Sequence, residues 1–297
     1  MTTLVDLAAA VLIRAETAGS LAVCLVLTLR LPARRAFGAE AAYRLWALPP
    51  AIAALSLFPS FSDFFGPVVS NADASIPHSG LILQVWAAGV VGAAAVMATS
   101  EAAFRRKALQ GRAGPAVMGV LWPRLVTPSD FAERFTPVEQ ALVRRHEATH
   151  IALGHPMSNL VIAAAQVLSW FNPLIYMAAA CARLDQELAC DAVVVAAQPE
   201  SRRLYGETLL KAHMQSPRSP FACAWSALGR HPLETRLATL AGRPVTLALY
   251  LRGAAAVALV GALTAVSIWG AGPRWADEPR FVWPSWTPAQ ASADLAR

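Results

Sequence analysis

The chain has 297 residues, of which 56% are hydrophobic and 15% charged, and its mean hydropathy is +0.44. Soluble domains carry about 25% charged residues, so this composition is typical of a membrane protein. The formal net charge is +6. Because the basic residues lie beside apolar runs, and no basic stripe with interleaved aromatic residues occurs, we expect no direct nucleic-acid binding.

Four apolar runs approach the length of about 20 residues that a helix needs to cross a bilayer. They cover residues 4–31, 41–58, 81–104 and 245–272. Pro49-Pro50 interrupts the second run, which a span tolerates when its neighbours satisfy the freed carbonyl groups. We therefore predict three transmembrane helices in residues 1–104, a fourth at 245–272, and a short tail at 273–297.

The distribution of Lys and Arg predicts the orientation of these helices. Basic residues lie between runs one and two (Arg30, Arg34, Arg35, Arg44), after run three (Arg105, Arg106, Lys107, Arg112) and around the start of run four (Arg236, Arg243, Arg252). Residues 60–80 contain neither Lys nor Arg. Because positive charge favours the cytoplasmic side, we predict that both termini lie outside and that residues 105–244 form a cytoplasmic domain.

The segment 146–150 reads His-Glu-Ala-Thr-His, which matches the H-E-x-x-H pattern of zinc proteases. His146 and His150 are four residues apart, so on a helix both imidazoles point from one face toward one metal ion. Glu147 can act there as a general base toward water. The pattern predicts a catalytic Zn²⁺ site.

The residues before the motif predict a helix around it. Thr136 is a good N-cap, Pro137 suits the first helical position, and Glu139 completes a capping box with Thr136. We expect a helix of about 17 residues that ends near Gly154.

A catalytic zinc site needs a third protein ligand. Glu187 is the favoured candidate because Asp191, four residues further along a helix, shares its face and can accept a hydrogen bond from a ligand histidine. His155 and Asp185 are the alternatives. His155 lies five residues after His150, about 140° round a helix from it, so we expect His155 to be a surface or loop residue.

The run 157–182 is also apolar enough for a span. Asn172-Pro173 divides it into two pieces that are short for one. A single crossing would separate the third ligand from the two histidines. We therefore predict helices at 160–171 and 174–182 that are buried in the peptidase domain or lie against the inner leaflet.

Four ordered motifs resemble the BlaR/MecR-type membrane zinc peptidases, the antirepressor and beta-lactam-sensor family. These motifs are residues 115–123, 146–150, 170–174 and 187–191, and residues 205–210 look like their continuation. The resemblance is strong over about residues 110–215. It implies a mainly helical membrane protein with a gluzincin-like peptidase domain. It also implies that His146, His150 and Glu187 bind Zn²⁺, that Glu147 is the base, and that Asp191 supports a ligand.

Two departures from that family bear on function. Gly154-His155-Pro156 stands where members often carry an acidic residue, which leaves the role of His155 open. The sequence has neither S-x-x-K nor K-T-G, so we expect it to lack the penicillin-binding sensor domain and covalent beta-lactam capture.

These observations predict an integral-membrane zinc endopeptidase of the bacterial inner membrane that acts in signal transduction. Its expected partners are the lipid bilayer and a protein substrate, either a cytoplasmic regulatory protein such as a transcriptional repressor or the chain itself; self-association stays open. His231 and Arg236 are the candidates for stabilising an oxyanion. The alternative is a non-proteolytic signalling scaffold with a structural zinc site, which Glu147 disfavours because a structural site has no use for a base.

Overall fold

The computed structural model describes residues 4–57, 76–215, 232–240 and 246–270. Within these ranges the chain is mainly helical, which confirms the predicted fold class. The helices are α1 (Leu4–Phe37), α2 (Ala39–Arg44), α3 (Leu48–Leu55), α4 (Ser79–Leu109), α5 (Phe131–Arg134), α6 (Pro137–Ala152), α7 (His155–Leu168), α8 (Pro173–Ala197), α9 (Arg202–Gln215), α10 (Pro232–Leu240) and α11 (Leu247–Gly270). The predicted tail, His231, Arg243 and the end of the second apolar run lie outside the described residues.

A small antiparallel sheet separates the membrane-type helix α4 from the motif helix α6. Its strands are β1 (Ala116–Met118) and β2 (Arg124–Val126), and Val117 lies opposite Leu125 in the register. Two 3-10 turns, Leu45–Ala47 and Pro199–Ser201, complete the regular structure of the described ranges.

Three of the described helices are long and apolar enough to cross a membrane, namely Leu4–Phe37, Ser79–Leu109 and Leu247–Ser267. A fourth would follow if α6 and α7, which are bent by 62° at their junction, formed one broken span. α6 carries two Glu and two Arg residues, which are costly in a bilayer. The apolar part of this pair is therefore α7 alone.

The second apolar run does not form one continuous helix. The 3-10 turn Leu45–Ala47 separates α2 from α3, and Pro49 and Pro50 lie in the first turn of α3. Proline has no N–H to donate to the preceding turn, so the helix stops and begins again. Leu45, Leu48 and Ile52 then pack on the buried face of α1.

The apolar run 157–182 forms a helical hairpin made of α7 and the first half of α8. The chain turns at residues 169–172, and the Asn172 side chain caps α8 by accepting a hydrogen bond from Leu174 N at 3.0 Å. α8 then continues without a break to Ala197. The predicted helix at 174–182 and the helix that carries Glu187 are therefore one element.

The hairpin turn is held against the middle of α1. Ser169 Oγ donates to Glu16 Oε1 at 2.6 Å, and Asn172 Nδ2 donates to Ser20 Oγ at 2.9 Å. Further along, Arg30 makes two bonds to Asp185 at 2.8 and 3.0 Å. α8 therefore runs beside α1 from Ser20 to Arg30, a distance of about 15 Å.

The other side of the turn is fixed to α4. Trp86 Nε1 donates to Leu168 O at 2.8 Å, and Trp170 Nε1 donates to Trp86 O at 3.2 Å. Gly89 makes this contact fit, because a Cβ at that position would lie 2.0 Å from the Trp170 ring. The hairpin thus ends between two helices of membrane-spanning length and returns toward the basic end of α1.

Candidate metal centre and active site

α6 places the H-E-x-x-H motif on a firmly started helix. Thr136 Oγ1 accepts from Glu139 N at 3.4 Å, and Glu139 Oε2 accepts from Thr136 N at 2.8 Å. This is the predicted capping box. Lys211 Nζ, from α9, also donates to Glu139 Oε2 at 2.8 Å. The helix ends before Gly154, whose φ of 70° suits glycine and lets the chain bend into α7.

The structure brings together the three side chains predicted as metal ligands. His146 Nε2 and His150 Nε2 are 3.1 Å apart. The two nitrogens lie 3.3 and 3.4 Å from the Glu187 carboxylate oxygens. Tetrahedral Zn²⁺ with ligand bonds of 2.0–2.1 Å separates its donor atoms by about 3.3 Å. The donor set and its spacing therefore fit a zinc ion.

His146 is supported by a buried network that reaches three other helices. Tyr205 OH lies 2.8 Å from His146 Nδ1 and donates to Asp191 Oδ1 at 2.6 Å. Arg236 donates two bonds to Asp191 at 2.8 and 2.7 Å. If Nδ1 carries the proton, it donates to Tyr205, and the Nε2 lone pair faces the other two candidate ligands.

Asp191 thus lies beside His146, but the main contact runs through a residue that the sequence analysis did not assign. Asp191 Oδ1 is 3.5 Å from His146 Nδ1, whereas the Tyr205 hydroxyl is closer to both. Tyr205 belongs to the segment 205–210 noted for its resemblance to the family. The signal in the sequence that could have identified Tyr205 is a phenolic hydroxyl that follows the two acidic candidates Glu187 and Asp191.

Arg236, considered for oxyanion stabilisation, lies within the site. Its Nη1 is 2.9 Å from Glu187 Oε2, and its other nitrogens bind Asp191. Burial alone would raise the pKa of Glu187, but the hydrogen bond to His146 and the charge of Arg236 hold that pKa below its usual range. Arg236 therefore keeps Glu187 ionised, which is the form that binds a metal.

His155 supports the second histidine of the motif, and the expectation of a surface or loop position was wrong. His155 is only 1% exposed, and its Nδ1 lies 2.8 Å from His150 Nδ1. The 62° bend after Gly154 turns the first residue of α7 back onto α6. Among the described residues, His155 Nε2 has no hydrogen-bond partner, although the Tyr43 ring contacts the imidazole edge-on.

Asp185, the other alternative ligand, lies outside this group. Its carboxylate is bound by Arg30, and Trp46 Nε1 donates to Asp185 Oδ2 at 2.8 Å. Asp185 therefore joins α8 to α1 and to the turn after α2.

Glu147 lies next to the candidate ligands in a cavity of about 1020 Å³. Burial, together with the negative charge of Glu187, raises the pKa of Glu147 to about 6. A carboxyl group whose pKa lies near neutrality can both accept and return a proton. The same cavity is lined by β1, by α4 and by α7.

Comparisons with known proteins agree with the resemblance seen in the sequence. Residues 107–240 match the family model described as BlaR1 peptidase M56. A 116-residue stretch is 28% identical to the regulatory protein BlaR1 of Bacillus licheniformis, and it covers 37% of this chain and 19% of that protein. The match therefore spans about a fifth of the relative's length. No solved structure matches significantly. The predicted resemblance to a membrane metallopeptidase family is confirmed for this region.

Proposed function

We propose that this chain is an integral-membrane zinc endopeptidase in which His146, His150 and Glu187 hold the metal and Glu147 is the general base. One observation carries the proposal. Two helices bring His146 Nε2 and His150 Nε2 to 3.1 Å from each other, and each nitrogen lies 3.3 or 3.4 Å from one of the two Glu187 carboxylate oxygens, close to the spacing that tetrahedral zinc requires. The match of residues 107–240 to a metallopeptidase family supports it independently.

Each residue has a defined task in this reaction. Bound Zn²⁺ supplies a Lewis acid that polarises the scissile carbonyl and makes water more acidic. The Glu147 carboxylate accepts a proton from the attacking water and then donates it to the departing amine nitrogen. Tyr205 and His155 orient the two histidines through their Nδ1 atoms.

A free strand edge supports an extended peptide as the substrate. Within the described part of the chain, β1 pairs with β2 alone, and Ala116, Val117 and Met118 line the cavity that contains Glu147. An extended peptide can add to such an edge through main-chain hydrogen bonds. We propose that the scissile segment binds in this way.

We propose that α1, α2 with α3, α4 and α11 lie in the bacterial inner membrane, with both termini outside and residues 105–244 cytoplasmic. The positive-inside rule supports this orientation. The last turns of α1 and α4 are basic, with Arg34 and Arg35 in α1 and Arg106 and Lys107 in α4. The apolar α7–α8 hairpin would then dip into the membrane from the cytoplasmic side and return.

We propose that the substrate is a cytoplasmic regulatory protein of the repressor type, or the chain itself. The support is the relative's name, which describes a regulatory protein, together with the proposed cytoplasmic position of the site. A repressor encoded beside this gene is the first substrate to test.

The decisive experiment compares Glu147→Gln with the parent in lipid nanodiscs, using β-casein as substrate together with the repressor where the neighbouring reading frame encodes one. We expect loss of a general base to slow cleavage by about 10²–10⁴-fold, with one zinc retained per chain. Glu133→Gln, an exposed glutamate on α5, is the matched control and should cleave normally. Full cleavage or full signalling by Glu147→Gln would refute the peptidase and favour the scaffold.

The ligand assignment has its own test. His150→Ala should lose its zinc, measured by mass spectrometry of the purified protein, because two remaining ligands do not hold the ion well. Unchanged zinc stoichiometry would refute the proposed metal site whatever the peptidase assay gives.

A further inference from the structure

The cavity at the motif extends between two helices that are largely apolar. On α4 its wall includes Ala94, Met97, Ala98 and Phe104, which are spaced as one face of a helix. On α7 its wall includes Leu160, Ala163, Ala164 and Val167, which also share one face. We call this part of the cavity, between these eight residues, the apolar arm.

The apolar arm has a definite length and direction. On α4 the lining extends from Arg105 to Ala94, and on α7 from Pro156 to Val167. Within these intervals the eight residues of the arm span 10 residues of α4 and 7 of α7, or about 15 and 10 Å of helix, which is a third to a half of a 30 Å hydrocarbon layer. The arm therefore begins at the basic end of α4 and reaches toward the middle of a candidate membrane span.

The far end of the arm is where the hairpin turn is fixed to α4. The bond from Trp86 Nε1 to Leu168 O, 2.8 Å long, lies one residue beyond Val167. Toward the motif the lining becomes mixed, with Glu101 between Ala98 and Phe104 on α4 and Asn159 beside Leu160 on α7. The cavity thus changes from polar at Glu147 to apolar at Val167.

We propose that the peptidase takes substrates whose cleavage site directly follows an apolar, membrane-embedded segment, and that this segment occupies the apolar arm. The inference rests on the proposed function and narrows its substrate class: of the two proposed substrates it favours the chain itself, which has candidate membrane spans, over a repressor without one. Because Glu147 and the arm line one continuous cavity, the substrate that reaches Glu147 is the molecule that fills the arm. About three to five extended residues, at 3.3 Å each, span this length.

The small residues of the arm make this occupancy possible. Ala98 on α4 and Ala163 on α7 leave the space that a substrate side chain would fill. A tryptophan at either position would close the arm without touching the proposed metal ligands. Ala95, exposed and outside the lining of the cavity, offers the same substitution on α4 as a control.

The test uses two peptide hydroxamates, because a hydroxamate binds zinc whatever peptide it carries. One has six alternating Leu and Ala residues, and the other six alternating Ser and Gly residues. Their equilibrium binding to the zinc-loaded full-length protein is measured in nanodiscs for the parent, Ala98→Trp, Ala163→Trp and Ala95→Trp. Octanoyl hydroxamate is the third probe and represents a lipid acyl chain.

We expect Ala98→Trp and Ala163→Trp each to weaken binding of the apolar peptide by about tenfold or more, since the apolar area that this peptide buries is lost. The affinity for the polar peptide should change by less than about twofold, and so should the affinity of Ala95→Trp for both peptides. Equal effects on both peptides, or none, would overturn the inference and leave the proposed peptidase intact. An effect on octanoyl hydroxamate alone would show a lipid site and equally overturn it. Failure of all three probes to bind would instead refute the metal centre, and this inference with it.

Discussion

The two histidines of the motif are supported in different ways. His146 is joined through Tyr205 to the buried pair of Asp191 and Arg236, so its support carries charge and comes from α8, α9 and α10. His150 Nδ1 faces His155, a second imidazole at the start of the α7–α8 hairpin. The comparison indicates that the His146 side is tied to the stability of the peptidase domain. The His150 side is tied to the hairpin that contacts the membrane-type helices.

The largest expected effect is on the His146 side. Asp191→Ala removes the buried carboxylate that accepts from Tyr205 and from Arg236, and among the described residues it leaves the mostly buried Arg236 guanidinium with Glu187 as its ion-pair partner. We expect a loss of about 3 kcal/mol in the free energy of unfolding, as for other broken buried pairs, measured by denaturant titration in detergent.

Glu207→Ala is the control for that loss. Its ion pair with Arg203 is exposed, so its removal should cost less than about 0.5 kcal/mol. Equal losses for the two variants would show that the buried network does not stabilise the domain, and the contrast between the two histidines would disappear.

Tyr205→Phe separates orientation of the ligand from stability, because it removes only the hydroxyl beside His146 Nδ1. Loss of such a support lowers metal affinity by about 10–100-fold, which competition with a chelator would measure. Tyr176→Phe, which removes a hydrogen-bonded hydroxyl at the other end of α8, should leave zinc affinity unchanged. Unchanged affinity in Tyr205→Phe would mean that Asp191 orients His146 directly.

The His150 side should respond more weakly. His155→Leu removes the ring nitrogen 2.8 Å from His150 Nδ1, which accepts from Nδ1–H when His150 binds the metal through Nε2. We expect zinc to dissociate about tenfold faster, at the lower end of the range for such supports. His155→Asn, which restores a hydrogen-bond acceptor in a smaller side chain, should recover part of the slow dissociation. If zinc dissociates at the same rate from His155→Leu and from His155→Asn, His155 acts by packing alone and does not orient His150.

Local patterns in the sequence were enough to predict the fold class, the motif helix and the three candidate ligands. Residues such as Thr136 and Glu139 carry the capping signal within four positions. Tyr205 and His155 gained their places from tertiary structure instead, through α9 packing on α6 and through the bend after Gly154. Spacing along one helix cannot show such contacts, and it wrongly suggested that His155 would face away.

The second apolar run and the hairpin make the same point at a larger scale. Composition marked residues 41–58 as one span, but the Leu45–Ala47 turn and Pro49-Pro50 break the helix. Asn172-Pro173 correctly predicted that the run 157–182 divides into two helical pieces. The local sequence could not show that the second piece continues through Glu187 as α8. The charged Asp185 in that stretch is paired with Arg30, which lies 155 residues away in the sequence.

The smallest expected effect concerns Cys190, which with His150 and His155 is a second candidate metal site. Cys190 Sγ lies 3.5 Å from His155 Nδ1, and with His150 these residues have the composition of a metal-binding group. Two observations argue against it. The 2.8 Å between His150 Nδ1 and His155 Nδ1 is shorter than the roughly 3.3 Å that separates two ligands of one zinc ion. Burial also raises the pKa of the Cys190 thiol, so the thiolate that would bind a metal does not form readily.

Cys190→Ala should therefore keep one zinc per chain, with an affinity within about twofold of the parent. Mass spectrometry of the native protein measures the stoichiometry, and chelator competition measures the affinity. Cys181→Ala, at the partly buried cysteine of the same helix, is the matched control for loss of a thiol. A fall from two zinc ions to one in Cys190→Ala would contradict the expectation. The His150 side would then be held by a metal, and its support would be the stronger of the two.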